Sequence, residues 1–551
     1  MNLNENTDRQ HRQRVAVVVL LALALSGYHL AMVAKYAVAR IDGDTYFLID
    51  DDPMISMHYG RNLARGIGLV YNKGEHVEGF TNPLFTFFCA GLHLLPIGEP
   101  VLPGLIHLSS LLLSLGTMLM LTRFWGDGPA ERFAGLVGAL LYVVLPNHSY
   151  HAHSGFEVYM LIFLLVFALW RIEHCGLPGA LLIGLLPLTH GMAMPMWAVL
   201  VVGILLVNHR PLQSRVLLAV VAVVPFVCYE VFRVAYYHDI LPNTYWLKAG
   251  SGSLDGGMQY AKQWLRSLWP LLPLAGYAVF AVRGRRIALI VAVLAAGIAS
   301  TVSLGGDIFW QFRFLFPASV LVVALAGRSI PLLLNRLASL PRAEAAYFGL
   351  VLAGLLLLGA VRNPLISYRL NAPDYAQNKH WNIRHIATGR AIRDNTPPDA
   401  VVGLFGLGYT GYYGDRLTVD MLGKADPHIA RTKPKTTRLI GHNKVDFDYV
   451  LHQRAPDYLE VTFTPEELQD TDCLMENCQK NVWGYSYELA LHPAFREQYS
   501  PSPVCDAQGR FVCFYSRTRD NASRWRIANE FFTSFPPGRK IYNVATTVSG
   551  R

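Results

Sequence analysis

A chain that repeatedly offers apolar runs long enough to cross about 30 Å of hydrocarbon has few folds open to it, because inside a bilayer every backbone amide must be satisfied within a helix or a closed barrel. The stretch "VAVVVLLALALSGYHLAMVAKYAV", after the polar and basic start "MNLNENTDRQHRQR", is such a run. Others fall near 101–121, 131–147, 155–170, 177–192, 194–208, 215–235, 268–282, 287–304, 314–327 and 345–361. Only 16% of the 551 residues are charged, against about 25% in a soluble domain. The first run is longer than the apolar core of a cleaved leader and lacks its small-residue cleavage site, so a retained helix is expected. The fold class expected is an α-helical polytopic membrane protein.

Arginine orients it. "RQHRQR", Arg123 with Arg132, Arg210 with Arg215, the cluster Arg283, Arg285 and Arg286, and Arg328 with Arg336 and Arg342 mark one set of connections. Placing them all in the cytoplasm gives about 11 to 13 spans and leaves the chain from about 363 outside. The segment 81–96 is short for a span and reads as a re-entrant or juxtamembrane helix. The net charge of +9 is loop arginine that carries topology, and no nucleic-acid partner is expected. Residues 1–362 then form a membrane domain with a first external loop at 39–100, and 363–551 an external region. There "DAVVGLFGLGYTGYYGDRLTVDML" reads as strand, Gly-rich turn, strand, and "FDYVLHQRAPDYLEV" as helix then strand, which fits a C-terminal α/β soluble domain. Cys473, Cys478, Cys505 and Cys513 all lie in it. They suggest disulfides and an oxidising compartment. The pairs Cys473–Cys478 and Cys505–Cys513 are preferred among three connectivities, with a zinc site as the alternative.

The unusual polar residues collect on the external side. "LIDDDPMISMHYGRNLARG" sets Asp50, Asp51 and Asp52 side by side just after the first run. A helix cap needs one carboxylate, and Pro53 at a first helical position fits a cap at Asp52. Three in a row raise one another's pKa unless cations or donors sit nearby. Asp51 and Asp52 are therefore candidates for a general base or a metal ligand. The same loop supplies Arg61, Glu75, His76, Glu78 and Asn82. "NHSYHAHSGFE" supplies His148, His151, His153 and Glu157, a cluster able to bind zinc although no metalloprotease spacing is present. His190 lies in the turn "LTHGM", Asn243 and Lys248 in "HDILPNTYWLK", and Asp307 and Arg313 in "LGGDIFWQFRF". Cations beside a membrane surface suit a phosphate, or else snorkel to lipid headgroups. "GLGYTG" (406–411) matches G-x-G-x-x-G, but the residues after it read as strand, so no nucleotide is expected. Two classes compete: an enzyme acting on a lipid-linked substrate at the external face, and a transporter or flippase. Clean Leu/Val/Ala runs without repeated halves favour the enzyme.

The run "DDPMISMHYGRNLARGIGLVYNKGEHVEGFTNPLFT" resembles the first external loop of GT-C glycosyltransferases, nearest to polytopic arabinofuranosyltransferases that extend cell-wall arabinan or glycosylate pilin. "HSGFE", "YYHDILPNTYWLK", "LGGDIFWQFRFLFP", "GYYGDRLTVDMLGKADPHIA" and "GHNKVDFDYVL" are similar to further patches of that family. The resemblance implies a GT-C fold in a bacterial inner membrane, with the C-terminal domain periplasmic. It implies a polyprenyl-phosphate sugar donor, D-arabinofuranose first, and an acceptor hydroxyl on a pilin or a glycan. By analogy the base is Asp51, with Asp52 second and Asp50 a bystander. Arg313, Lys248 and Arg61 are expected at the donor phosphate. Glu78, Asn82, Asn243, Asp307, Glu157 and His190 are expected to bind sugar or anchor loops. A divalent metal (Mg, Mn or Ca) at Asp51 and Asp307 is compatible with the family and not required.

Overall fold

The structure is a computed structural model, and it describes residues 3–250, 252–338, 363–435, 440–461, 484–502 and 513–517. Within these, five helices are long and apolar enough to cross a membrane: Arg12–Tyr36, Leu102–Thr122, Leu212–Tyr237, Arg285–Ser303 and Gln311–Ala338. A sixth is the pair Pro129–Val143 and His148–Ser154, bent by 69°. The apolar run at 131–147 is thus shorter than a straight span; Pro146 cannot donate to the helix, and the chain turns there. Shorter apolar helices are Pro83–His93, Val158–Arg171, Leu177–Thr189, Gly191–Val207 and Leu272–Ala281. The expected 11 spans would need the last four of these to cross together with the run at 345–361, which lies outside the described residues, as do the cysteines 473, 478 and 505; Pro83–His93 is the segment read as re-entrant or juxtamembrane. The protein is a multi-pass membrane protein.

The bundle core is built around the helix Phe316–Ala338, whose residues from Phe316 to Gly327 are all buried. Small residues bring its partner close: a Cβ on Gly327 would lie 2.6 Å from the Ala134 carbonyl oxygen and 2.7 Å from the Gly138 nitrogen. Such small-residue contacts are how helices pack where lipid removes the hydrophobic drive.

The first external loop opens with an antiparallel hairpin, β1 (Val38–Ile41) and β2 (Asp44–Phe47). The helix Asp51–Ala64 follows, with Asp50 as its N-cap residue and without a side-chain cap bond. The cap therefore falls two residues earlier than Asp52, and Pro53 sits at the third helical position. Asp51 and Asp52 occupy the first turn, where the helix dipole favours carboxylates.

The C-terminal region begins with the helix Asn363–Asn395 and forms a five-stranded sheet. The sheet contains β3 (Val401–Leu404), β4 (Leu417–Asp420), β5 (Tyr458–Val461), β6 (Ser500–Ser502) and β7 (Cys513–Ser516), in the order β4-β3-β5-β7-β6. β3 is parallel to β4 and β5, whereas β7 is antiparallel to β5 and β6. After "GLG" the chain forms a helix, Tyr409–Gly414, where the sequence reads as the end of a Gly-rich turn and the start of a strand. Six residues are too few to hold a helix alone. Partners from the first loop hold both ends: Asp51 takes the amides of Gly408 and Tyr409, and Arg61 donates to the Tyr412 carbonyl at 2.7 Å.

Candidate active site

The three adjacent aspartates go to three different partners. Asp50 is 3% exposed; its carboxylate accepts from Asn378 Nδ2 at 2.6 Å and from the Tyr150 hydroxyl. Burial pushes its carboxyl up to about 7, against the pull of those two donors. Asp50 thus ties the first loop to the helices His148–Ser154 and Asn363–Asn395, a fixed post where a bystander was expected. Asp51 Oδ1 accepts the Tyr409 amide at 2.9 Å and Oδ2 the Gly408 amide at 3.2 Å. Burial raises its pKa, and those amides and Lys424 only partly offset this. Asp52 pairs with the Lys424 ammonium. Burial opposes its charge, but Lys424, then His442 and Arg313, outweigh burial and hold the carboxyl well below the usual range.

Gly408 is what lets the Gly-rich turn reach Asp51. A Cβ there would fall 2.1 Å from the Asp51 carbonyl oxygen and 2.3 Å from Oδ1. Gly408→Ala is expected to lose about 1–3 kcal/mol in thermal unfolding, the usual cost of overpacking, and to displace the carboxylate. Gly414→Ala, with no atom nearer than 3.6 Å, serves as the silent control.

Lys424 is held in place by Asn243, whose Nδ2 donates to the carbonyls of Gly423 (3.0 Å), Lys424 (2.9 Å) and Asp426 (3.3 Å). The Asn243 amide in turn donates to the Glu78 carbonyl at 3.0 Å. The Glu78 side chain, 1% exposed, is paired with Arg233 Nε at 2.6 Å and accepts from Tyr229 Oη at 2.6 Å. Glu78 and Asn243 are therefore committed to fixing loops, and neither side chain is open to a sugar in this arrangement.

A second acid–base unit faces the first. Arg313 donates to Asp307 through Nε (2.9 Å) and Nη2 (3.0 Å), and stacks on Phe156 and Phe309. Gln311 and Phe312 reach it through a left-handed kink, with φ of 56° and 52°. Asn82 connects the helix Asp51–Ala64 to Glu157: it accepts from Ser56 Oγ at 2.9 Å and donates to Glu157 Oε2 at 3.0 Å. His190 accepts the Met192 amide at 3.1 Å and packs on Phe314.

Between these units stands Lys248. Its ammonium has no hydrogen-bond or ion-pair partner among the described residues, yet it lies in the field of Arg313, Asp52, Asp307 and Lys424. Burial and then Arg313 lower its pKa. His442 joins the group, with burial and Lys424 holding its imidazole down at about 4. Asp51, Asp52, Glu157, His190, Lys248, Asp307 and Arg313 are thus brought together.

Arg61 is not part of that group. Besides the Tyr412 carbonyl it bonds Asp415 at 2.9 Å and stacks on Tyr412 at 4.3 Å, so its guanidinium clamps the short helix and not a donor phosphate. The two carboxylates weighed for a metal, Asp51 and Asp307, are both hydrogen-bonded within the protein. Both Asp51 oxygens are taken by amides and both Asp307 oxygens by Arg313. No group of three or more His, Cys, Asp or Glu side chains is placed to hold an ion among the described residues. His148 is instead a core residue, bonded to Tyr159 Oη and the Tyr142 carbonyl.

Lys424 and His442 escaped the sequence reading as individual residues. Both lie in "GYYGDRLTVDMLGKADPHIA" and "GHNKVDFDYVL", patches with family likeness but no local feature that marks one lysine or histidine as a site residue.

Apolar helices with an α/β region after them make this a multi-pass membrane protein, and its likeness to solved membrane proteins gives the fold, that of the GT-C class. Its structure matches ArnT from Cupriavidus metallidurans in the apo state over 94% of this chain and 99% of that one, with a TM-score of 0.56 at 15% identity. It matches the undecaprenyl phosphate-bound form of that protein with a TM-score of 0.54 and 16% identity, over 92% and 98% of the two chains. An Archaeoglobus fulgidus oligosaccharyltransferase tethered with an acceptor peptide matches with a TM-score of 0.52 and 12% identity, over 92% and 74%. By sequence the chain is similar to a terminal beta-(1->2)-arabinofuranosyltransferase of Mycobacterium tuberculosis, 28% identical over 251 residues. That match spans 41% of this chain and 39% of the relative's length. A family described as a domain of unknown function matches residues 373–541.

Proposed function

We propose that the protein is a glycosyltransferase that moves a sugar, D-arabinofuranose, from a polyprenyl phosphate to an acceptor hydroxyl on a pilin or a glycan. The reaction takes place at the periplasmic face of a bacterial inner membrane. The observation that carries this reading is the Lys248 ammonium, without a partner among the described residues and set among Arg313, Lys424 and the carboxylates of Asp52 and Asp307. An anion belongs in that gap, and a lipid phosphate satisfies it by charge-assisted hydrogen bonds. The named activity of the arabinofuranosyltransferase relative and the undecaprenyl phosphate bound by the solved neighbour support the same choice.

In this reading the acceptor oxygen attacks the anomeric carbon as the bond from that carbon to the phosphate oxygen breaks. The electron pair leaves with the phosphate, whose charge Lys248 and Arg313 stabilise. The acceptor proton passes to Asp51, whose raised pKa suits a base better than the strongly ionised Asp52. Asp52 keeps Lys424 beside the site, and Glu157 with Asn82 borders it. The test is purified protein incubated with synthetic polyprenyl-phospho-arabinofuranose and pilin or arabinan acceptors. Labelled sugar on an acceptor is the expected product, and transfer from a different polyprenyl-phospho-sugar alone would change the donor assignment.

A further inference from the structure

We infer that Glu460 is a positioning residue for this reaction, acting on Asp51 through the Gly-rich turn whose two ends the two carboxylates hold. The inference rests on the proposed role of Asp51.

The turn runs from the end of β3 into the helix Tyr409–Gly414. At its start Glu460 Oε2, from the neighbouring strand β5, accepts the amides of Phe405 at 2.7 Å and Gly406 at 3.4 Å. At the end of the turn, Asp51 accepts those of Gly408 at 3.2 Å and Tyr409 at 2.9 Å. Tyr71 Oη donates to the Leu407 carbonyl between them at 2.7 Å. Five consecutive residues, 405–409, thus have a backbone group held by one of three side chains: Glu460, Tyr71 and Asp51. The turn cannot shift at Phe405 without moving the amides that orient the Asp51 carboxylate.

Glu460 is an expensive group to keep there. It is 0% exposed, and its second oxygen, Oε1, has no hydrogen-bond partner among the described residues. A buried carboxylate left half satisfied costs stability, and an apolar side chain in the middle of β5 would avoid that cost. Burial pushes its carboxyl up to about 7, against the two amides and Arg384. What Glu460 supplies that an apolar residue cannot is an acceptor at a fixed distance from two amides of the turn.

Two variants separate position from charge. Glu460→Asp keeps the carboxylate but draws the acceptor back by one methylene. Glu460→Gln keeps the reach and an acceptor oxygen but drops the charge. With monodisperse full-length protein, Glu460→Asp is expected to lower kcat about 10-fold or more with donor KM within about 3-fold of wild type, while Glu460→Gln stays within about 3-fold in both. Wild-type kcat in Glu460→Asp, an equal loss in both variants, or a change confined to donor KM overturns the inference. Asp51→Asn, assayed alongside, separates the two levels. If it is inactive while Glu460→Asp turns over normally, the positioning role fails and the base assignment stands; if it is fully active, the base assignment itself fails.

Discussion

Asp51→Asn protein is expected to transfer sugar at least about 10²-fold more slowly than wild type, with donor KM and unfolding temperature close to wild type. A positioned general base contributes about 10²–10⁴-fold, and asparagine removes the basic oxygen while preserving shape. Its carbonyl can still accept the Tyr409 amide that Asp51 accepts at 2.9 Å, so the domain contact survives. The Gly408 amide loses a charged acceptor, a loss of about 1.5–3 kcal/mol, which stays below the roughly 5–15 kcal/mol that holds a domain folded and so does not account for a hundredfold fall in turnover by unfolding. Asp52→Asn makes the contrasting case. It removes the partner of Lys424, so the freed ammonium competes for the donor phosphate and changes KM along with kcat. Full turnover in Asp51→Asn with none in Asp52→Asn would reverse the assignment.

How much of this was legible in the sequence depends on the reach of each signal. The long spans followed from apolar runs, because hydropathy is local and a bilayer rewards it without reference to partners. The first loop was legible as a motif, and Asp51, Asp52, Asp307, Arg313 and Lys248 do converge. What escaped were choices made across the fold. Lys424 pairs with an aspartate 372 residues away, and no periodicity announces that. The helix at Tyr409–Gly414 is held by Asp51 and Arg61 at its ends, so its own residues read only as a turn running into a strand. Arg61 looked like a phosphate ligand because a lone arginine in a polar loop has no visible partner until Tyr412 and Asp415 are placed beside it. Glu78 and Asn243 looked like sugar ligands for the same reason. Polar residue type marks that a hydrogen bond is needed, not whether protein or substrate supplies it.

The two cations assigned to the donor phosphate should fail in opposite ways when removed. Arg313 and Asp307 are 8% and 5% exposed, and deleting one member of a buried pair strands the other charge at a cost of about 3–5 kcal/mol. Arg313→Met is therefore expected to lower the unfolding temperature sharply and to abolish transfer. Adding Asp307→Asn should recover much of the stability, since the stranded charge is gone, and none of the transfer. Lys248 strands nothing when it is removed, because no partner depends on it among the described residues and the strongest charge acting on it is the like-charged Arg313. Lys248→Met should unfold at or slightly above the wild-type temperature. It should still raise donor KM by about 10- to 100-fold, the equivalent of the 1.5–3 kcal/mol carried by a hydrogen bond to a charged group. Thermal unfolding in detergent and donor titration on the same preparations check both. A stable Lys248→Met protein with wild-type donor KM would remove Lys248 from the phosphate site and leave Arg313 and Lys424 to hold it.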